Sequence, residues 1–194
     1  MLFRSAYEKA RTLPGDTVLI FGAGPIGLMH AKLARAVGAG KVIISDRHEE
    51  RLALAKTIVP DLFTVVGDPG EELKRITGGY GADVIITACP SGEAQTRAVE
   101  LAAINGRIIF FGGLPKGQSM VPLDTNVIHY KQLLVTGTTR QSLAQFQKTL
   151  DLISERVIRV SDLVTSVHPI DAAREAISMA SNGRGLKARI AFDL

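Results

Sequence analysis

The stretch Val18-Leu19-Ile20-Phe21-Gly22-Ala23-Gly24-Pro25-Ile26-Gly27 runs from apolar residues directly into closely spaced glycines. Its first four residues form a continuous apolar run, which is typical of a strand covered on both faces. Beyond the glycines, apolar residues recur at helical spacing: Ile26, Met29, Leu33 and Val37. The stretch therefore predicts a strand in the middle of a sheet, a tight turn and a helix.

The same alternation of strand and helix continues along the chain. Further strands are predicted at residues 42–45, 62–66, 83–87, 107–111 and 133–138, with amphipathic helical segments between them. Asn105-Gly106 is predicted to end the helix before the fifth strand, and residues 114–132 show no clear pattern. Strands joined by helical crossovers are parallel, with helices on both faces of the sheet. The sequence thus predicts a doubly wound α/β fold with a six-stranded parallel sheet.

A further strand, helix and strand follow the six-stranded part. Residues 163–167 and 187–192 have the pattern of strands, and a helix is predicted from near Asp171 to before Gly183. We expect residues 1–157 to form the main domain, with a short N-terminal helix, and residues 158–194 to form a C-terminal tail.

Composition and charge exclude several classes of function. Of the 194 residues, 46% are hydrophobic and 22% charged, and the net charge of +4 is scattered along the chain, so nucleic acid is not an expected partner. The most apolar stretch, residues 17–29, is interrupted by glycines and is too short to span a bilayer, so no membrane partner is expected either. The single cysteine cannot form an intramolecular disulfide, and we expect a cytoplasmic protein.

The glycines of the opening stretch form the pattern GxGxxG between a strand and a helix, the context in which this pattern indicates a dinucleotide site, as in Rossmann folds. Gly22 permits the tight turn, Gly24 lets a pyrophosphate approach the backbone, and Gly27 allows close packing of helix and strand. The N-terminus of the following helix favours an anion without any lysine. The alternative is a glycine-rich turn that only packs.

Asp46 ends the second predicted strand, 24 residues after Gly22, close to the spacing of about 20 at which a carboxylate contacts the adenosine ribose. A carboxylate accepts hydrogen bonds from the ribose hydroxyls but repels a 2′-phosphate, so NAD is the expected cofactor. Arg47 could instead reach a 2′-phosphate, which leaves NADP as an alternative. Arg51 could face the cofactor or pair with nearby carboxylates. The alternative role for Asp46 is to cap the next helix.

Several other segments occur in an order that is characteristic of one enzyme family: Pro14-Gly15-Asp16-Thr17-Val18, Ser45-Asp46-Arg47, Thr77-Gly78-Gly79-Tyr80-Gly81-Ala82-Asp83-Val84, Gly106-Arg107-Ile108 and Leu134-Val135-Thr136-Gly137. Over nearly its whole length, the chain resembles the cofactor-binding portion of the zinc-dependent medium-chain dehydrogenases, the alcohol dehydrogenase family. Within that family it is most similar to the sorbitol, threonine and polyol dehydrogenase branch. The resemblance implies an oxidoreductase that transfers a hydride between a secondary alcohol and NAD.

The resemblance also implies which residues contact the cofactor. Besides Gly22, Gly24, Pro25 and Gly27 of the glycine loop and Asp46, Arg47 and Arg51, they are Ile26 behind the nicotinamide ring and Cys89, Gly112, Gly113, Leu114, Gly137, Thr138 and Thr139 in loops near the riboses and carboxamide. The glycine that the family has two positions after the cysteine is displaced here to Gly92. The alternative for Cys89 is a small buried residue without a reactive role.

In the resembled family, zinc and substrate are held by an N-terminal GroES-like domain, and no such segment is found in this sequence. The four histidines and one cysteine form no HxxxH or CxxC pattern. Residues 6–10 are similar to the helix that links the two domains in this family, cut at its start. We therefore expect a piece of a longer enzyme that binds cofactor without turning over unaided, with zinc in the missing domain and residues 158–194 packed against that domain.

Two other functions remain open at this point: a regulatory module that senses dinucleotides, and a zinc-free quinone or enoyl reductase of the same superfamily.

The stretch Ser119-Met120-Val121-Pro122-Leu123 lies outside the strand and helix alternation. In the resembled family the corresponding stretch pairs with its two-fold mate, and an apolar edge invites such pairing. We expect a homo-oligomer formed through this edge; the alternative is a solvated loop.

Overall fold

The computed structural model describes residues 3–183 and 185–192, and the expectations that fall on residues 1, 2, 184, 193 and 194 lie outside them. The strands in this range are β1 (Thr17–Phe21), β2 (Lys41–Asp46), β3 (Phe63–Val66), β4 (Ala82–Thr87), β5 (Ala102–Phe110), β6 (Leu134–Gly137), β7 (Val164–Pro169) and β8 (Lys187–Ala191). The α-helices are α1 (Phe3–Ala10), α2 (Pro25–Ala36), α3 (Glu49–Ile58), α4 (Gly70–Thr77), α5 (Gly92–Leu101), α6 (Thr125–Tyr130), α7 (Leu143–Ser154) and α8 (Ala173–Ser181). Within the described range, no helix combines the length and apolar character needed to cross a membrane.

Six of the strands form one parallel sheet in the order β3-β2-β1-β4-β5-β6. All five residues of β1 are buried, and Val18 pairs with Val42 on one side and with Val84 on the other. The strand order reverses between β1 and β4, so the glycine turn after β1 lies at the switch point where doubly wound sheets bind ligands. The predicted six-stranded fold, with its first strand in the middle, is confirmed.

The sheet buries an apolar layer on each face because successive strand residues point to opposite sides. Ile20 and Ile44 lie in the layer shared with α1, α2 and α3, and Leu19 and Ile43 lie in the layer shared with α4 and α5. All four of these side chains have no solvent exposure. Burial of each such side chain stabilises the folded state by about 1.5–3 kcal/mol. Burial on both faces explains why the strands have continuous apolar runs rather than alternating ones.

The boundary between α5 and β5 differs from the prediction. The helix ends at Leu101, and Asn105-Gly106 lies inside β5 rather than at the end of the helix. Asn105 has a φ of 59°, and a Cβ at Gly106 would lie 2.8 Å from the carbonyl oxygen of Ala103. The pairing with β4 shifts register at this point. The Asn-Gly pair therefore makes a local kink in a strand, and its assignment to the helix end was wrong.

A short helix, α6, lies within residues 114–132, where the sequence showed no pattern. Asp124 precedes it, and its Oδ1 accepts hydrogen bonds from the backbone N–H groups of Asn126 (2.9 Å) and Val127 (3.1 Å). Such capping stabilises helices that are too short to be stable alone. Six residues make less than two turns, so the helix was too short to show an apolar period.

The tail forms the predicted strand, helix and strand, with β7 and β8 paired in parallel as a separate two-stranded sheet. Its first residues pack on the main domain: Ile158 and Leu163 belong to the apolar layer of α1 and α2. Lys32 Nζ lies 2.6 Å from Asp162 Oδ2, and this ion pair links the same region to α2. On α8, Ile177 is 63% exposed. The packing of the tail against another domain stays a prediction.

Candidate functional site

The carboxyl ends of the six parallel strands meet at one edge of the sheet, and the turns after these strands carry the predicted site residues. Backbone hydrogen bonds continue past the strand ends, from Gly22 to Ser45 (2.7 Å), from Ala88 to Phe21 (2.8 Å) and from Gly112 to Thr87 (2.7 Å). These bonds place the turns after β1, β4 and β5 side by side. Ligands of open α/β sheets bind at this edge.

The three glycines of the turn after β1 have different surroundings. Gly22 has a φ of +104°, a conformation that favours glycine. A Cβ at Gly27 would overlap the carbonyl oxygen of Gly22, so the packing of α2 on the turn excludes any side chain there. A Cβ at Gly24 would meet no atom within 4 Å. The turn is thus tightly packed at its two ends and open at Gly24, where a pyrophosphate could approach.

Helix α2 begins directly after this open position. Its N-cap is Gly24, which provides no side-chain cap, and Pro25 occupies the first turn. Ile26 is 37% exposed at the same end of the helix. Because no side chain caps them, the backbone N–H groups of the first turn are available to an anion, which the helix dipole also favours.

Asp46 lies at the end of β2 with a side chain only 9% exposed. Its Oδ2 accepts a 2.7 Å hydrogen bond from the backbone N–H of Ala23, and its Oδ1 accepts a 2.9 Å bond from that of His48. The N-cap of α3 is His48, so Asp46 is not the helix cap that was its alternative role. The carboxylate holds the glycine loop against β2 and keeps lone pairs for further donors, since it can accept about four bonds.

The two neighbouring arginines differ in their contacts. Arg47 is exposed to solvent beside Asp46. Arg51 is one-third exposed, and its Nη1 lies 4.0 Å from Asp46 Oδ2. Its guanidinium also lies where a Cβ at Gly183 of the tail would be. Arg51 therefore belongs to the surroundings of the Asp46 carboxylate, whereas Arg47 is an exposed positive charge next to it.

A cavity of about 350 Å³ opens beside Asp46. This volume lies at the lower end of the roughly 300–1,000 Å³ that is usual for small-molecule sites. It brings together Gly22, Asp46, Arg47, Arg51 and Cys89 of the predicted site residues. Residues from the turn after β3 and from α5 close its opposite side: Asp68, Pro69, Ser91, Glu93, Ala94 and Arg97.

The sequence analysis missed Asp68 and Arg97 on that opposite side. Arg97 Nη2 donates a 2.9 Å hydrogen bond to Asp68 Oδ1, which also accepts a 2.7 Å bond from the backbone of Gly70 at the start of α4. The hydrogen bond from Arg97 lowers the pKa of the Asp68 carboxyl. Asp68 follows β3 much as Asp46 ends β2, and that position was a usable signal. Arg97 lies within α5, where the sequence gives none.

Cys89 lies half-buried in the turn after β4, next to the turn after β5. A Cβ at Gly112 would overlap the Cys89 carbonyl oxygen, so these two turns are closely packed. Burial raises the pKa of the Cys89 thiol, and the Asp46 carboxylate raises it further. The thiol is therefore protonated near neutral pH, and protonated thiols are poor nucleophiles. This favours a packing role for Cys89 beside the cavity.

Gly24, Pro25, Ile26 and Gly27 belong to the glycine turn and the start of α2, and the other predicted residues lie outside the cavity at the carboxyl ends of β5 and β6. Leu114 is partly buried near Gly92, and Gly113 and Thr139 are exposed. Gly137 ends β6, and Thr138 follows it with only 9% exposure. The predicted residues thus fall into two groups, on either side of the glycine turn.

No metal-binding group of three His, Cys, Asp or Glu residues comes together within residues 3–183 and 185–192. His30 lies in the core, with its ring 5.8 Å from that of Tyr7 and 4.6 Å from that of Phe111, measured between centroids. Burial lowers the pKa of His30 to about 3. The glycine turn, Asp46 and the cavity have the arrangement that a dinucleotide site needs.

Comparison with known proteins identifies relatives of the chain. Residues 25–155 match the family model described as zinc-binding dehydrogenase. The probable D-xylulose reductase A of Arthroderma otae is 32% identical over 191 residues, which cover 95% of this chain and 52% of that protein. The D-arabitol-phosphate dehydrogenase of Enterococcus avium is 30% identical over 189 residues, covering 95% of this chain and 53% of that protein. The chain spans about half the length of these curated relatives.

A solved structure of a related dehydrogenase has the same fold. An alcohol dehydrogenase from E. coli CFT073, described as short chain and crystallised with NADH, superposes with a TM-score of 0.84 at 25% identity, over 98% of this chain and 57% of that one. The named relatives confirm the resemblance to polyol dehydrogenases that the sequence motifs predicted. With more than half of its residues matched by the family model, the chain belongs to the zinc-binding dehydrogenase family.

Proposed function

We propose that the chain is the NAD(H)-binding part of a zinc-dependent alcohol or polyol dehydrogenase. The observation that carries the proposal is the carboxylate of Asp46, which lies beside the cavity at the end of β2 and is bonded to the glycine loop. A carboxylate in this position accepts hydrogen bonds from the adenosine ribose. It also repels a 2′-phosphate, by up to about 4 kcal/mol for one charge pair at 4 Å and an effective dielectric near 20.

In this proposal the adenosine half and the nicotinamide half of the dinucleotide lie over different halves of the sheet. The pyrophosphate would lie at Gly24 and the N-terminus of α2, and the adenosine would lie at Asp46 and the cavity. The nicotinamide half would extend over β4, β5 and β6, toward the turns at residues 112–114 and 137–139, with Ile26 behind the ring. When bound, nicotinamide accepts or donates the hydride, and the protein fixes its position and face.

Arg47 weakens the proposed preference for NADH over NADPH. It is exposed next to Asp46, and a guanidinium binds phosphate well. The attraction of Arg47 for a 2′-phosphate opposes the repulsion from Asp46. We therefore propose a preference for NADH that is strong but not absolute.

We propose a polyol or another secondary alcohol as the substrate of the complete enzyme, on the strength of the two relatives named for xylulose and arabitol phosphate. Activation of an alcohol needs a Lewis acid or a suitably placed acid and base. The described residues bring no such zinc ligand set together. We propose that zinc and substrate are bound by residues outside this chain, so that the chain alone binds cofactor without turnover.

Calorimetric titration with NADH, NADPH and ADP-ribose tests the proposal. We expect NADH to bind more tightly than NADPH because of Asp46, and more tightly than ADP-ribose because of contacts to the nicotinamide half. Equal affinity for NADH and ADP-ribose would favour a regulatory module that senses only the adenine half. Absence of binding by all three would contradict the proposal.

A further inference from the structure

Helix α1 has a polar face formed by Ser5, Glu8 and Lys9, whose spacing of three and four residues places them on one side of a helix. Its other side is buried in the core: Ala6, Tyr7 and Ala10. Tyr7 also donates a 2.5 Å hydrogen bond to the backbone carbonyl of His30 in α2. The packing of the apolar side therefore fixes the direction of the polar face.

The polar face contacts the turn that follows β6. Ser5 Oγ lies 2.7 Å from Thr138 Oγ1, and both residues are buried, at 3% and 9% exposure. Lys9 Nζ donates a 2.9 Å hydrogen bond to the carbonyl oxygen of Gly137. The last residue of β6 and the first residue of the turn after it are thus bound to the same helix.

The third residue of the polar face contacts the far end of the same segment. Glu8 Oε2 accepts a 2.6 Å hydrogen bond from Gln145 Nε2. The Oε1 atom of Gln145 accepts a 2.9 Å bond from the backbone of Ser142, whose side chain caps α7. Residues 138–142 connect β6 to α7, and α1 therefore holds this connection through Gly137 and Thr138 at one end and through Gln145, in the first turn of α7, at the other.

The position of this segment gives the contacts a functional meaning. It follows the carboxyl end of β6, at the same edge of the sheet as the glycine turn and Asp46. Asp46 lies over β2, on the other side of the switch point. A dinucleotide whose adenosine ribose meets Asp46 extends its nicotinamide half toward β4, β5 and β6.

We propose that the polar face of α1 positions residues 137–142 for the nicotinamide half of the cofactor, with Ser5 and Lys9 as positioning residues. This inference rests on the proposed function. A turn without these bonds samples more conformations, and the apparent affinity falls in proportion to the fraction that is competent to bind. The adenine half, bound on the other side of the glycine turn, does not depend on this turn. The polar face therefore acts on NADH and not on ADP-ribose.

The test compares the affinities for NADH and ADP-ribose in Ser5→Ala, Lys9→Met and the double variant of the full chain. Lys9→Met keeps most of the side-chain length and removes the donor. Lys148→Met, at an exposed lysine of α7, is the matched control. We expect each single variant to bind NADH about fivefold more weakly, the effect of one net hydrogen bond, while ADP-ribose affinity changes less than about twofold. Thermal unfolding of each variant is followed in parallel.

Each outcome decides between alternatives. Selective loss of NADH affinity in the polar-face variants, with the control unchanged, supports the positioning role. Unchanged NADH affinity overturns it, as does an equal loss for both ligands, which would mean that α1 acts only through the stability of the core. If the unmodified chain binds ADP-ribose and NADH equally, positioning is overturned while adenine binding stands. If it binds neither, the proposed function itself fails.

Discussion

The carboxylate of Asp46 binds the backbone N–H of Ala23 at 2.7 Å, so the residue proposed to contact the ribose also fixes the glycine loop. Its other oxygen accepts the backbone N–H of His48. A substitution of Asp46 therefore changes both the charge beside the proposed cofactor site and the anchoring of the loop. Variants that keep an acceptor separate these two effects.

Asp46→Asn removes the charge and keeps one acceptor oxygen, which can hold the bond from Ala23, while the bond from His48 is lost. Without the charge, the side chain no longer repels the 2′-phosphate of NADPH. Solvent screens much of that repulsion in the unmodified chain, so we expect the preference for NADH over NADPH to fall by only roughly tenfold. Asp46→Ser, with a shorter side chain, should narrow the preference further or invert it. Calorimetry at fixed salt measures both, with Asp61→Asn, at an exposed carboxylate, as the control. Equal affinity of the unmodified chain for NADH and NADPH would contradict the role of Asp46 and favour Arg47.

The glycines of the loop allow stability and binding to be separated. In Gly27→Ala the new Cβ would overlap the Gly22 carbonyl oxygen, and we expect a loss of about 1–3 kcal/mol or more in the free energy of unfolding. In Gly24→Ala the Cβ enters open space, so stability should change by less than about 0.5 kcal/mol while NADH binding weakens. Urea unfolding and NADH titration check the pair. Unchanged NADH binding by Gly24→Ala would exclude a pyrophosphate at that position.

The fold was predictable because its main signals are local. The apolar run of β1, the glycines after it and the helical spacing of α2 each lie within about twelve residues. The errors also have local causes. Asn-Gly favours a turn both at the end of a helix and at a kink in a strand, so the sequence alone did not distinguish the two at Asn105-Gly106. Helix α6 depends on the cap at Asp124, and six residues are too few to show a period.

The candidate site was predictable only where chain order reflects position at the sheet edge. Asp46 ends a strand and follows the glycines at a known spacing, so its place could be inferred. The ion pair of Asp68 and Arg97 joins the turn after β3 to the middle of α5, and the bond from Ser5 to Thr138 joins residues 133 positions apart. Pairs of this kind arise from packing of the whole domain, and no sequence pattern records them.

Alcohol oxidation tests whether zinc and substrate are bound outside this chain. We expect the chain with NAD, added zinc and a range of polyols to turn over far more slowly than roughly 1 per second, an ordinary enzyme rate. The physical reason is that no zinc ligand set comes together among the described residues. A steady-state assay that follows NADH formation decides the matter. Turnover at ordinary rates would show that the chain activates alcohol itself.

Self-association through residues 119–123 stays a prediction. In the structure this segment is not a strand; it runs along α5, where Thr96 Oγ1 donates a 3.0 Å hydrogen bond to the carbonyl of Pro122. Val121 is half-buried near Gly92. Val121→Lys would place a charge at the proposed edge and should lower the dimer fraction measured by light scattering. Leu143→Lys, at an exposed position of α7, is the control, and an equal dimer fraction in both variants would contradict pairing through this edge.

The buried imidazole of His30 predicts how stability depends on pH. Its pKa is lowered to about 3 in the folded chain by burial, against about 6.5 in the unfolded chain. Between these values the unfolded state binds the extra proton, so this contribution to stability is complete above pH 6.5 and is lost as pH falls toward 3, by up to about 1.4 kcal/mol per pH unit. Urea unfolding between pH 7 and 4 should show a shallower slope for His30→Leu than for the unmodified chain. An equal slope for His30→Leu and the unmodified chain would contradict the assignment to His30.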